Sequence, residues 1–235
     1  MSSGSDKMAN ILSIETVDKS GSVALYSGGV LLERILPLSQ RSAQSLVPAM
    51  DGLLGEFKLL PKDIDKVVVI VGPGSFTGLR VGIITARMFS YVVGAEIIGL
   101  TSFETVAYRI FLSGLFGLYS IGVDAQRGEV VVQDWRVDVG GCFQLSETLM
   151  TSVGGWWDHL LGSGQNFVAA GPALWRYGEK RPASVKIVDE NLFDPRAGAA
   201  AKLAEKRKQT SDVWTIKPIY SRPSAADEKL NAKKE

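Results

Sequence analysis

The apolar positions change period several times along the chain, and each change marks an element. Asn10 to Thr16 is a short, nearly continuous apolar run and reads as a buried strand. Gly21 to Ser27 reads as a second strand, Gly28-Gly29 as its turn and Val30 to Leu36 as a third, together a meander. From Ser42 to Phe57 the period lengthens: Leu46, Met50, Leu53 and Phe57 fall four, three and four apart, one face of a helix. Pro48 predicts that this helix either starts near it or is kinked there. A strand at 67–71, a helix over about 75–93, a strand at 95–100 and a further helix opened by the capping box Thr101 and Glu104 complete the first half.

The second half runs through a similar series, with strands at about 117–124, 128–137 and 142–149 and then a segment around Trp156 to Leu161. A strand at 166–170 and an alanine-rich helix over about 195–208 follow. Both halves read β-β-β-α-β-α without a residue-level repeat, which predicts a duplicated mixed α/β unit and two lobes. The boundary falls near 110–117, giving lobes over 9–112 and 113–222. Residues 1–8 read as a flexible leader and 223–235 as a frayed tail.

The richest segment is VVVIVGPGSFTGLRVG at 67–82, where a β-branched run breaks into a glycine-rich turn and then a helix. Gly72, Gly74 and Gly78 lack Cβ atoms where the chain turns, Pro73 fixes one φ, and Ser75 or Thr77 can cap the helix. Helix N-terminal amides can hold a phosphate. However, the motif has no lysine for a P-loop, and its glycines are spaced GxGxxxG where a dinucleotide fingerprint needs GxGxxG. A tight turn that only shapes the fold remains an equal reading.

Composition narrows the chemistry. With 235 residues, 46% of them hydrophobic, the chain can bury a substantial core; a net charge of +1 gives no basic field to bind nucleic acid by itself. Cys142 has no internal disulfide partner, the N-terminus shows no signal-peptide h-region and no apolar run is long enough to span a membrane, so a cytoplasmic protein is expected. His159 is the one histidine, so neither a zinc-hydrolase ligand set nor a Ser-His-Asp or Cys-His pair has support, and no metal or cofactor is expected. It reads instead as a surface or partly packed residue. Trp156, Trp157 and Trp175 read as core or lobe-packing residues, with interface anchors as the alternative. The basic run Lys202 to Lys208 reads as the polar face of a terminal helix, with contact to nucleic-acid phosphates as the alternative.

The unbroken motif Gly72-Pro73-Gly74-Ser75-Phe76-Thr77-Gly78-Leu79-Arg80 resembles the hallmark of the TsaB (YeaZ) family. ILSIETVDKSGSVALY resembles that family's first hairpin, VDAQRGEV at 123–130 its DARxGEV segment and KPIYSRP at 217–223 its closing PxYLR, and AGPAL stands at 170–174. The resemblance implies two related lobes of the actin and sugar-kinase (ribonuclease H-like) type with the nucleotide machinery largely lost. It implies a non-catalytic activator that pairs with the catalytic subunit TsaD, works with the ATPase TsaE, and serves threonylcarbamoylation of the adenosine next to the anticodon of tRNA. Pairing with itself when alone and contact with tRNA only through the complex belong to the same expectation. SAQSLVP, from Ser42, departs from the family in carrying no histidine.

Two further readings stay open. Glu15 and Asp124 end corresponding strands of the two halves, where a kinase-like fold would hold Mg²⁺, which keeps an ATP-dependent transferase in view. The family resemblance expects Asp at position 15, and the extra methylene of Glu displaces the carboxylate by about 1.5 Å, so a vestigial site tied to nearby loops is the alternative. A glycoprotease-like peptidase acting on the partner is the other. For the partner-binding surface the pattern leaves a fully internal helix as an equal reading, and the resemblance, which implies pairing through two helices of the first lobe, gives a ridge of helices 44–57 and 75–93 carrying Leu46, Met50, Leu53, Leu54, Phe76, Leu79, Arg80, Ile83 and Arg87. The second helix also carries Val81, Ile84, Met88 and Val92 on another stripe, so it is apolar on nearly all sides.

Overall fold

The structure is a computed structural model that describes residues 8–37, 42–207 and 210–222. Apart from Met8, the expected leader lies outside the described residues, as do the expected tail at 223–235 and Lys208 of the basic run. The first sheet is built from β1 (Ile11–Glu15), β2 (Ser22–Ser27), β3 (Val30–Ile35), β4 (Lys66–Gly72) and β5 (Glu96–Thr101), in the order β3-β2-β1-β4-β5. The strand β1 runs antiparallel to β2 and parallel to β4, with both neighbours pairing along it, so all five of its residues are buried. That burial on both faces is why the run reads as continuously apolar rather than alternating.

The second sheet repeats the plan. It contains β6 (Gly117–Gln126), β7 (Glu129–Asp138), β8 (Gly141–Gln144), β9 (Leu149–Ser152), β10 (Phe167–Ala170) and β11 (Lys186–Ile187), with the path β11-β10-β6-β7-β8 and β9 also paired to β7. Again the first strand is antiparallel to its hairpin partner and parallel to the strand that follows a helix. The architecture is α/β with two mixed sheets of one topology, as the element order predicts. One element differs: the strand expected over 142–149 is two strands, β8 and β9, because the chain turns away between them and Ser146 Oγ takes the amide of Asp134 at 2.9 Å.

Helices fill both faces. The helix α1 (Ser42–Phe57) runs through Pro48, which gives up one amide donor without ending it. The longer α2 (Phe76–Val93) is closed by Ser75, whose hydroxyl accepts from Gly78 N, and by Gly94 in the left-handed region. The helix α3 (Ser102–Leu112) carries the expected capping box, with Thr101 and Glu104 holding each other's amides. In the second half α4 (Val153–Gly162), the short α5 (Leu174–Tyr177) and α6 (Ala197–Glu205) complete the set.

Packing crosses the sequence midpoint in both directions. Phe103, Val106, Ala107 and Ile110 of α3 join the core of the second sheet, while Ala200, Ala201 and Ala204 of α6 join the core of the first. Alanines suit that position, since a helix without bulk on one face can lie close upon β1 and β2. The helices α3 and α6 also touch each other, and together they form the seam between the two sheets.

Candidate functional site

The glycine-rich turn is clamped from three sides. Its Ser75 N donates to Val17 O at 2.8 Å, Thr16 Oγ1 donates to Gly78 O at 2.7 Å, and Ser102 Oγ donates to Pro73 O at 2.6 Å. A Cβ on Gly78 would stand 1.7 Å from Thr16 O, so helix α2 can approach the β1–β2 loop only with glycine there. Gly72 has φ 114°, and a Cβ on it would meet Ile219 O at 2.3 Å. Gly72, Pro73, Gly74, Ser75, Phe76, Thr77 and Gly78 thus form a junction between the first hairpin, α2 and α3. Ser75 N and the Pro73 and Gly78 carbonyls are thus held by a backbone carbonyl and two hydroxyls of this chain, the arrangement of a turn that shapes the fold.

The helices α1 and α2 lie side by side against the first sheet, but they present a different stripe from the expected ridge. Leu46, Met50, Leu53, Leu54, Leu79 and Ile83 are buried in the core of their own lobe and offer a partner no surface. Phe76 is half-buried with its ring stacked on Tyr220 at 4.4 Å, Arg80 is exposed with Nε donating to Tyr220 OH at 3.1 Å, and Arg87 is half-buried with its guanidinium 5.8 Å from the Trp214 ring centre. What faces outward is Val47 of α1 and, on α2, Ile84, Met88 and Val92 of the other stripe together with Tyr91, each more than half exposed, while Val81 packs half-buried against the core. The reason is geometric. Leu79, Ile83, Ala86 and Ser90 repeat at helical spacing against the sheet, and a helix apolar all round must turn one stripe inward and leave the other out.

Among the described residues Glu15 and Asp124 have no hydrogen-bonding partner in common. Glu15 is fully buried; its Oε1 accepts from Val17 N at 2.6 Å and Asp18 N at 3.1 Å, and Oε2 accepts from Ser22 Oγ at 3.4 Å. Burial pushes its carboxyl up to about 8, so it is largely a neutral acid at pH 7. Asp124 accepts from Gln126 N at 2.8 Å, from Tyr177 OH at 3.0 Å and from Arg176 at 3.1 Å. Glu15 ties the loop after β1 and the start of β2, and Asp124 ties the end of β6 to α5.

A second acidic feature has no signature in the sequence. Asp18, in the loop after β1, hydrogen bonds to Asp194, just before α6, and burial and that contact push Asp18 up to about 7. Arg196 donates to Ser20 O at 2.8 Å and to Asp194 Oδ2 at 3.2 Å, and Trp175 Nε1 donates to Asp194 Oδ1 at 2.6 Å. Arg109 of α3 donates to the Asp194 and Asn191 carbonyls. These residues lie far apart along the chain, so no spacing rule could have joined them.

The remaining candidates have structural partners. His159 pairs with Asp134 at 2.8 Å, bridging α4 and β7, and Cys142 is pushed up to about 11 by burial. Trp156 is fully buried and donates to Ser120 Oγ at 3.0 Å, and Trp157 stacks on it at 4.5 Å. Arg207, in the basic run, pairs with Glu104 of α3. Among the described residues no cluster of three or more His, Cys, Asp or Glu could hold a metal, and no helix is long and apolar enough to cross a membrane.

A family model described as TsaD, tRNA N6-adenosine threonylcarbamoyltransferase, matches residues 17–148, more than half of the chain. The tRNA threonylcarbamoyladenosine biosynthesis protein TsaB of Bacillus subtilis is 28% identical over 93% of this chain and 96% of its own length. The chain belongs to the TsaB/YeaZ family. Two solved structures from Pseudomonas aeruginosa share the fold. YeaZ has a TM-score of 0.76 at 21% identity, over 91% of this chain and all of that one. An uncharacterized protein with similarity to peptidase YeaZ has a TM-score of 0.77 at 23% identity, over 92% of this chain and all of that one. The two-sheet α/β plan is therefore shared with YeaZ, and in this chain the GPGSFTGLR turn is the junction between hairpin and helix.

Proposed function

We propose that this chain is a non-catalytic activating subunit in the synthesis of tRNA threonylcarbamoyladenosine in the cytoplasm, pairing with a TsaD-type catalytic subunit. The observation that carries the reading is the exposed apolar stripe Val47, Ile84, Met88, Tyr91 and Val92 on two adjacent helices. Exposed apolar side chains grouped on one face mark a macromolecular contact, and about 800 Å² per partner makes a specific interface. The same face would serve a second copy when the chain is alone, with a TsaE-type ATPase and tRNA joining through the larger complex. In this reading residues 9–112 act as the docking lobe and 113–222 as the second lobe. Activation then requires tighter binding to the partner's competent state, and a preference of about 2–3 kcal/mol lifts a state populated at a few per cent to dominance.

The test is reconstitution of tRNA modification with purified TsaD- and TsaE-type subunits and threonylcarbamoyl-AMP, with and without this chain. Equal modification without it ends the activator reading. One observation favours a second reading: the family model matched over 17–148 is named for a transferase. Calorimetry with ATP and Mg²⁺ separates the two, since micromolar binding by the isolated chain favours the enzyme.

A further inference from the structure

The segment from Thr210 to Arg222 returns from the second half and runs over α2. It is pinned by Ser211 N donating to Ile97 O at 2.7 Å, by Ile216 buried in the first core against Gly99, and by Ile219 N donating to Val71 O at 2.7 Å. Between these pins its aromatic rings meet the two arginines of α2. Tyr220 receives Arg80 at its hydroxyl, and its ring centre lies 5.8 Å from the Arg80 guanidinium; the Trp214 ring lies 5.8 Å from that of Arg87. Trp214 also meets Tyr91 edge-on, with ring centres 5.1 Å apart, and is 63% exposed. This large ring, standing open against Arg87 and Tyr91, adds to the exposed apolar surface that Tyr91 carries on α2.

Resting on the docking reading above, we infer that Trp214 is an anchor of the partner-binding face, supplied by the far end of the chain and set in place by Arg87 and Tyr91. The partner is the TsaD-type subunit, which meets this face with an apolar stripe bordered by carboxylates. Charge complementarity gives that border: Arg87 stands beside Trp214 on a helix that carries not one Asp or Glu. Trp, Tyr and Arg grouped round an apolar centre are the residue types that carry most binding energy at protein interfaces. A nucleic-acid strand fits less well, because the centre of the face is the aliphatic Ile84, Met88 and Val92, which offer neither hydrogen bonds to phosphate nor rings for bases to stack on. The strap is part of the face rather than a cover over it, since its pins enter the sheet and the core.

Titration calorimetry of the full chain with a purified TsaD-type subunit tests the inference, using Trp214→Ala, Trp214→Phe and, as control, Ile84→Asp. The expected result is at least a tenfold loss of affinity for Trp214→Ala, substantial recovery in Trp214→Phe, and abolished binding for Ile84→Asp. Wild-type affinity in Trp214→Ala with binding abolished by Ile84→Asp overturns the anchor and leaves the docking face standing. Binding unaffected by either variant overturns both. Tighter binding by Trp214→Ala makes the strap an obstruction and overturns the inference. So does binding of tRNA by the isolated chain that Trp214→Ala removes.

Discussion

At the scale of single residues, the GPGSFTGLR turn shows that a glycine signature can be set by close approach within the fold. Replacing Gly78 by Ala puts a methyl carbon 1.7 Å from Thr16 O, a backbone atom that moves only with the first hairpin. Overpacking of this kind costs about 1–3 kcal/mol, and for a chain of this length each kcal/mol lowers the melting temperature by about 2–4 °C. Thermal unfolding of Gly78→Ala should therefore show a drop of several degrees, and an unchanged midpoint would mean the glycine serves a ligand instead. The turn itself was legible in the sequence, because three glycines and a proline after a β-branched run leave few other conformations. Its purpose was not, because the sequence cannot say that the nearest neighbour of Gly78 is the carbonyl of Thr16. The same holds for Glu15 and Asp124: their positions at the ends of corresponding strands were readable, but not that Val17, Asp18 and Ser22 take one while Arg176 and Tyr177 take the other.

At the scale of elements, strands and helices were readable wherever one face meets the core. The phase of a helix apolar all round was not. In α2 both candidate stripes have helical spacing, and only packing on the sheet chooses Leu79 and Ile83 as the inner one. The choice makes opposite predictions for two aspartates. Met88→Asp places a charge in water, so the chain should melt within about 1 °C of wild type yet fail to co-purify with a TsaD-type subunit. Leu79→Asp buries an unpaired charge in the core and should leave little folded protein by circular dichroism. Full partner binding by a folded Met88→Asp would move the docking face elsewhere. The capping box at α3 is a smaller case, read directly from Thr101 and Glu104 because its hydrogen bonds are local. Thr101→Ala should cost about 1 kcal/mol, measured by urea unfolding, and a loss below a few tenths would show that packing alone holds the start of α3.

For the whole molecule, the seam where α3 and α6 cross between the sheets carries buried acid groups, and this ties stability to pH. Asp18 faces Asp194 and Glu15, with Arg196 as its nearest cation, Lys19 beside it in the loop, and Arg109 and Trp175 holding Asp194 from the other side. In the native state Asp18 is raised to about 7 and Glu15 to about 8, both well above the values near 4 of an unfolded chain. The folded protein therefore holds more protons than the unfolded one between about pH 4 and 8. By linkage, the stability these groups contribute is full below their unfolded values and is lost as pH rises through 7 and 8. Melting temperatures recorded from pH 3 to 9 should fall between about pH 4 and 8 and level off above it. Asn at position 18 keeps the shape of the protonated acid and cannot ionise, so Asp18→Asn should remove the part of the fall that runs from about pH 4 to 7 and raise the melting temperature most at pH 7 and above, while changing little at about pH 3. Glu15→Gln should act the same way about one unit higher. A fall that stays as steep in both variants would place the titrating groups outside the seam, and the two sheets would then be joined by packing and neutral hydrogen bonds without a protonic contribution.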